Sequence, residues 1–369
     1  MRVTFINLWP RGGMLHYSSH LANALADCDN TDVTMVLPRG SDTRALSPKL
    51  RLCFVDPPVK GGISQLPQNI WKISKIRSFL RVVRETRPDV VHVNSSHLWL
   101  AGTLPYLCRR YPLVATIHDV RPHPGEDSLR KRIERRAVLM RAARIAVHSE
   151  YLRKGLLEAW PNRQPEDVIV TPHGGYHFVG GDGRGDKAKR PTVLFFGRIL
   201  KYKGLEYLGA AAPRVRQQIP DVEFIIAGEG DMAGYPQVMS DPTLFELRNT
   251  FVPDDDVADY FRRAWLLVLP YIEASWTGVA GIAHNAGLPV VATRVGCLPE
   301  AVLDGQNGII IPPRDAGSLA DAIIRLLKDD DLRHRYGCAG RAGAHIGWSE
   351  TAQFLRNTYS DIVRQQGSS

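Results

Sequence analysis

Cysteine is scarce in this chain: five among 369 residues, with no CxxC pair. Cys28, Cys53, Cys108, Cys297 and Cys338 are odd in number and far apart. That spacing excludes a disulfide framework or a zinc cage and fits a reducing compartment. Long apolar runs are missing as well. WLLVLP at 265–270, among the longest, falls far short of the roughly 20 residues of a spanning helix. The opening MRVTFINLWPRGG reads as a first strand and not as a signal peptide, so a soluble or at most surface-bound protein is expected. There is no GxSxG, Walker loop or kinase motif set. Helix-turn-helix, RNP and zinc-finger patterns are also lacking, and no nucleic-acid partner is expected.

What is present is an ordinary globular mixture, 44% apolar and 23% charged. At roughly 100–200 residues per domain the length suggests two domains. The net charge of +9 is unevenly spread: residues 1–180 hold the basic excess and the remainder is near neutral. An acidic partner for the first half follows: anionic lipid, a phosphate-bearing ligand or nucleic acid, the last the weakest for want of a recognised motif.

Short β-rich runs alternate with helix-period segments through the first half. The strand candidates are VTFIN (3–7), VTMVLP (33–38), DVVHVN (89–94), LVATIH (113–118), RIAVHS (144–149) and VIVTP (168–172). Helical segments lie near 14–26, 70–87, 97–110, 128–142 and 149–159. Continuous apolar strands joined by crossover helices imply a parallel sheet covered on both faces, a doubly wound α/β domain. Residues 178–191, FVGGDGRGDKAKRP, offer no apolar face and read as a linker. The alternation then restarts with VLFFG (193–197), EFIIAG (223–228), WLLVLP, PVVAT (289–293) and GIIIPP (308–313), and helical patterns at 316–328 and 350–365 close it. In open sheets of this kind ligands sit beyond the carboxyl ends of the strands, so the residues following each strand are the candidates for chemistry.

After VLFFG come Arg198, Lys201 and Lys203, then a helix. Cations on a strand-to-helix loop, beside the unpaired N–H groups of a helix start, make an anion site suited to a diphosphate. A solvated Lys-rich loop would read the same way. After WLLVLPY come Glu273, then Thr277-Gly278-Val279 and a helix start. Small residues there let backbone amides approach a ligand, and Glu273 can accept hydrogen bonds from sugar hydroxyls or serve as a surface acid. Gly12-Gly13 after the first strand lacks the third glycine of a dinucleotide fingerprint. His118-Asp119 closes the fourth strand candidate. His16 and His20 have the spacing of a two-histidine metal face but no Glu or third ligand, so no metal is expected.

In this order these elements resemble the retaining glycosyltransferases of family 4, which have the α/β GT-B architecture: two Rossmann-like doubly wound domains facing a central cleft. FFGRILKYKGLEYL, FIIAGEGDM and LPYIEASWTGVAGIAHNAGLPVVATRVGCLPEAVLDGQNGIIIPP carry most of the likeness. GGMLHYSSHLANALA, ATIHD and VIVTPHGG carry less. The resemblance implies an acceptor-side domain at 1–180, a nucleotide-sugar domain at 190–348, and a final helix, 349–369, packed back on the first domain. It implies a metal-independent retaining hexosyltransferase with no cofactor, a UDP- or GDP-sugar donor, and a glycan or polyprenyl/lipid-linked acceptor. Surface polysaccharide or glycolipid synthesis, in the cytoplasm or on the inner face of the cytoplasmic membrane, would follow.

By the same resemblance Arg198 and Lys203 bind the donor diphosphate, with Gly197 on their loop. Glu273 contacts the transferred sugar, and Thr277, Gly278 and Val279 offer backbone N–H groups. Gly13 lines the loop facing diphosphate and acceptor, His118 touches sugar hydroxyls, and Glu300 matches a recurring acid. One departure stands out: many members carry a second glutamate eight residues after the first to hold the ribose, whereas here Gly281, or Ile282 in an alternative alignment, occupies that place. A subset with an EASQSG-like segment is closer to this chain. A sugar-binding protein without catalysis, or an epimerase or phosphorylase on the same architecture, are the alternatives.

Two stretches account for much of the basic charge, IWKISKIRSFLRVVRETR (70–87) and SLRKRIERRAVLMRAAR (128–144). Both are expected to bury an apolar face against the sheet and to leave Lys and Arg solvated. The basic faces then offer electrostatic attachment to anionic lipid.

Overall fold

The computed structural model describes residues 1–57, 73–94, 97–120, 128–171, 173–175, 187–343 and 347–367. The chain divides into two compact units, Met1–His173 with Trp348–Ser369, and Gly174–Gly347.

The first unit runs β1 (Arg2–Ile6), α1 (Gly13–Ala26), β2 (Asp32–Pro38), β3 (Arg51–Val55), α2 (Ile73–Glu85), β4 (Val90–Val93), α3 (Leu98–Leu107), β5 (Leu113–Thr116), α4 (Leu129–Arg141), β6 (Arg144–Val147), α5 (Glu150–Ala159) and β7 (Val168–Val170). Its seven strands are all parallel in the order β3-β2-β1-β4-β5-β6-β7. Every residue of β4 and β5 is buried, as a sheet covered on both faces requires. The order reverses between β1 and β4, the switch point where such sheets open a crevice at their carboxyl ends. The last helix, Trp348–Gly367, packs on α1. It buries Trp348, Ala352, Leu355, Tyr359 and Ile362, one face at three- and four-residue spacing.

The second unit repeats the plan with β8 (Thr192–Phe196), α6 (Leu205–Gln218), β9 (Glu223–Ala227), α7 (Pro236–Met239), β10 (Phe245–Arg248), α8 (Asp254–Arg263), β11 (Leu266–Leu269), α9 (Gly278–Asn285), β12 (Val290–Thr293), α10 (Leu298–Ala301), β13 (Gly308–Ile311), α11 (Ala316–Lys328) and α12 (Asp330–Gly343). The six-stranded order is β10-β9-β8-β11-β12-β13, again parallel, with the reversal between β8 and β11. Apolar layers cover both faces: Val193, Phe195, Phe224 and Leu266 on one, Leu194, Ile225, Leu267 and Leu269 on the other. Two Rossmann-like parallel-sheet domains make this an α/β chain.

Helix α4 corrects one expectation. It buries Glu134, Val138 and Leu139, while Leu129, Ile133 and Met140 are exposed at 73%, 51% and 55%. Its apolar residues therefore split between two sides, and the buried side includes Glu134, which accepts from the exposed Arg130 at 2.7 Å. In α2, Phe79 and Val83 are buried and Ile76 and Leu80 half-buried, so Phe79 joins the face that its helical period places at Ile73, Ile76, Leu80 and Val83. Most of the expected 178–191 linker, residues 178–186, lies outside the described residues. Beyond it, Ala188 accepts a hydrogen bond from Trp265 Nε1 at 2.9 Å. All five cysteines are free. Among the described residues no helix is long and apolar enough to cross a membrane.

Candidate functional site

The loop leaving β8 is held by glycines. Gly197 has φ +106, and Gly204, at φ +67, caps the turn before α6. A Cβ on Gly204 would stand 2.0 Å from the carbonyl oxygen of Pro270, so only glycine lets the two post-strand segments approach. Ile272 N–H donates to the Tyr202 carbonyl at 2.8 Å and ties the same segments together. This junction lies at the β8/β11 reversal.

Lys203 is buried there. Its Nζ comes within 2.8 Å of where a Gly197 Cβ would be, and 5.4 Å from the centre of the Tyr271 ring. Burial, with the charge of Arg198 adding to it, pulls its pKa down to about 7. No carboxylate pairs with Lys203 among the described residues. An ammonium withdrawn from water without a counter-charge is costly, several kcal/mol on the order-of-magnitude scale for ions in proteins. An anion brought to this spot reverses that cost. Arg198, on the same loop, is exposed.

The β11 segment supplies the facing wall. Tyr271 is buried, and its carbonyl accepts from Thr293 Oγ1 at 2.5 Å. Thr277 is the N-cap of α9, its Oγ1 accepting from Val279 N–H at 3.3 Å. The Val279 side chain reaches 3.9 Å from the Gly197 Cβ position, so the helix start meets the β8 loop. Gly197, Lys203 and Val279 thus meet at one point, and Thr277 and Gly278, the cap and first residue of α9, precede Val279 in the chain, so the positive end of that helix is close by. The Val279 amide is already shared with its cap hydroxyl. Glu273 is half-buried between Tyr271 and Ala274. Glu300 is exposed on α10, one turn beyond Gly296, whose own Cβ would fall 1.7 Å from the Ala274 carbonyl. The loops bearing Glu273 and Glu300 are therefore neighbours. Of the two positions for a second acid, Ile282 is buried and Gly281 faces open space.

In the first unit, Gly12 turns the chain at φ +80 and Gly13 opens α1, exposed and facing open space. His118 follows β5 and belongs to a polar chain. Asn94, after β4, donates from Nδ2 to the Met14 carbonyl at 3.2 Å and to Ser18 Oγ at 2.5 Å, which leaves its Oδ1 as acceptor for His118 Nε2 at 2.9 Å. His118 Nδ1 then accepts from His148 Nε2 at 3.1 Å. Burial lowers the His118 pKa to about 4, against the opposing pull of Asp119, and drives His148 well below its ordinary value. Both rings are neutral at pH 7, and both nitrogens of His118 are engaged within the protein. A sugar hydroxyl bonding to His118 has to displace one of these partners. Tyr17, His148, His173 and Trp348 pack ring against ring around them, and His20 stacks on Trp348 at an interplanar angle of 12°. Among the described residues no group of three or more His, Cys, Asp or Glu is placed to hold a metal ion.

Asn94, His148 and Tyr271 escaped the sequence reading. Asn94 could have been found by the same rule that found His118, since it stands directly after a strand at the switch point. His148, directly after β6, and Tyr271, two residues after β11, carry the same post-strand signal.

Known proteins share this organisation. Residues 11–175 match the family model described as Glycosyltransferase Family 4, and residues 190–329 match the one described as Glycosyl transferases group 1. The D-inositol 3-phosphate glycosyltransferase of Corynebacterium diphtheriae is 27% identical over 75% of this chain and 71% of its own length. The protein of that name from Pseudarthrobacter chlorophenolicus is 26% identical over 95% and 91%. Among solved structures, sucrose-phosphate synthase from Thermosynechococcus elongatus superposes with a TM-score of 0.78 at 21% identity, covering 99% of both chains. Anabaena HepE in complex with UDP and glucose does so with 0.73 at 18%, covering 98% of this chain and 100% of its own.

Proposed function

Taking as premise that the chain is a glycosyltransferase family 4-like protein, we propose that it moves a sugar from a nucleoside-diphosphate sugar to a glycan or lipid-linked acceptor. The anomeric configuration is retained and no metal is used. One observation carries this reading: a buried lysine without a carboxylate partner, set against a glycine and the start of a helix at a sheet's switch point. That arrangement suits a diphosphate.

Cleaving the bond between sugar and diphosphate builds negative charge on the leaving phosphate. Lys203, Arg198 and the amides at the start of α9 are fixed donors aimed at that charge, and they bind the transition state more tightly than the ground state. Glu273, at the end of the same loop, orients the sugar through its hydroxyls. A departing phosphate oxygen can take the acceptor's proton on the face it leaves, which gives retention without a protein nucleophile. With Gly281 and Ile282 in place of a second acid, the ribose is held by other groups.

The relatives named for D-inositol 3-phosphate favour a second acceptor class, a phosphorylated polyol, in a different pathway from surface glycans. The basic first unit suits either an anionic lipid carrier or a phosphorylated acceptor. A thermal-shift panel of UDP-, GDP- and ADP-sugars identifies the donor, because a ligand at 100 times its Kd adds about 2.7 kcal/mol of stability. Transfer assays with the donor so found, offering inositol 3-phosphate and lipid-linked sugars in parallel, identify the acceptor. No shift with any nucleotide sugar would refute the reading.

A further inference from the structure

The Lys203 ammonium is held from two sides. A Cβ on Gly197 would come within 2.8 Å of its Nζ, and the Nζ sits over the ring of Tyr271, 5.4 Å from the ring centre. A π face at that separation attracts a cation electrostatically, most strongly where water is excluded. Both residues are buried. The titratable groups acting on the pair are Arg198, Tyr202 and Cys297, and none of them is a carboxylate.

The ring is fixed in turn. The Tyr271 carbonyl accepts from Thr293 Oγ1, at the end of β12, at 2.5 Å, and the next residue, Ile272, donates its N–H to the Tyr202 carbonyl at 2.8 Å. The Tyr202 ring meets that of Tyr271 edge to face, with 6.2 Å between centres and 89° between planes. The preceding residue, Pro270, lies against Gly204, where no Cβ fits. A segment tied down at 270, 271 and 272 leaves the ring little freedom. Its hydroxyl end is beside Thr277, the N-cap of α9: burial pushes the phenol pKa up and Thr277 pulls against it. One side chain thus meets the lysine with its face and the helix start with its tip. Space-filling alone asks for an apolar side chain of this size, and would not set a buried hydroxyl beside the cap.

We propose that Tyr271 is a positioning residue for the donor diphosphate: its ring face keeps the Lys203 ammonium charged and in place for the anion. This rests on the reading of the pocket as a diphosphate site and adds the group that holds the cation there.

Calorimetric titrations of UDP and GDP from about pH 6 to 9 test it, on the wild type, Tyr271→Phe, Tyr271→Leu and a chain carrying trifluorophenylalanine at position 271. Affinity falls where free Lys203 loses its proton, and removing the π face moves that fall to lower pH. Tyr271→Leu and the fluorinated chain should bind about tenfold more weakly than wild type at about pH 8, the deficit shrinking to about twofold at about pH 6. Tyr271→Phe, which keeps the π face, should follow the wild-type profile. A lost space-filler would instead weaken binding by one factor at every pH. The fluorinated ring keeps the shape of phenylalanine while its face loses negative charge, so it decides the matter even if Tyr271→Leu does not fold. No deficit in the fluorinated chain, or one independent of pH, overturns the proposal and leaves the diphosphate reading standing. Failure of the wild type to bind either nucleotide refutes that reading and the proposal with it.

Discussion

Lys203 is in tension with the fold that holds it. A lysine with its pKa pulled from 10.5 to about 7 destabilises the folded chain, because the unfolded chain binds the proton more tightly. The penalty is complete at and below about pH 7 and fades as pH rises toward the ordinary lysine value, so stability should increase over that window. Lys203→Met, which keeps the apolar stem, should raise the unfolding free energy by up to about 4 kcal/mol at pH 7 in denaturant titrations. The same variant should lose about 100–1000-fold in turnover. Stability set against function at one side chain marks a binding residue. Arg198→Ala behaves differently: turnover falls strongly, while stability stays within about 0.5 kcal/mol because the side chain is exposed. Asn94→Ala should cost about 2 kcal/mol or more in thermal unfolding, since it leaves the His118 N–H and the Ser18 hydroxyl without their acceptor and donor.

At the level of elements, what the sequence makes legible is what is buried on both sides. The central strands β1, β4, β5, β8, β11 and β12 are continuous apolar runs and read directly. The edge strands β3 and β10 do not. Each pairs on one side only, and their sequences RLCFV and FELR mix exposed polar residues with the few that pack. Helix α12 was hidden by Gly337, Gly340 and Gly343, residues of poor helix propensity. Two of those glycines are explained by packing. A Cβ at Gly337 would lie 2.2 Å from the Gly287 carbonyl, and one at Gly340 2.7 Å from the His284 ring. Gly296 plays a similar part in the site. Gly296→Ala should cost more than about 2 kcal/mol, because the new methyl meets the Ala274 carbonyl and the backbone already sits at φ +53. Differential scanning calorimetry checks it, and the loop carrying Glu273 should be disturbed along with it.

For the molecule as a whole, the candidate site was legible as far as it follows the strands. Gly197, Arg198, Lys203, Glu273 and Thr277 all come just after a strand, where a doubly wound sheet exposes its carboxyl ends. What the sequence could not reveal is partnership across distance: Tyr271 under the Lys203 ammonium, or Asn94 and His148 occupying both nitrogens of His118. The charge asymmetry was legible at once, but the outward side of α4 that exposes Leu129, Ile133 and Met140 was not, because an apolar residue in sequence does not say which way it faces. The account rests on a diphosphate meeting Lys203, and a calorimetric titration of UDP and GDP into the wild type and Lys203→Met from pH 6.5 to about 9 addresses it directly. Binding should raise the Lys203 pKa, so wild-type affinity should fall by up to about tenfold per pH unit above pH 7 with proton uptake. The variant should bind far more weakly and without that slope. Equal affinity and the same pH profile in both proteins would contradict the account.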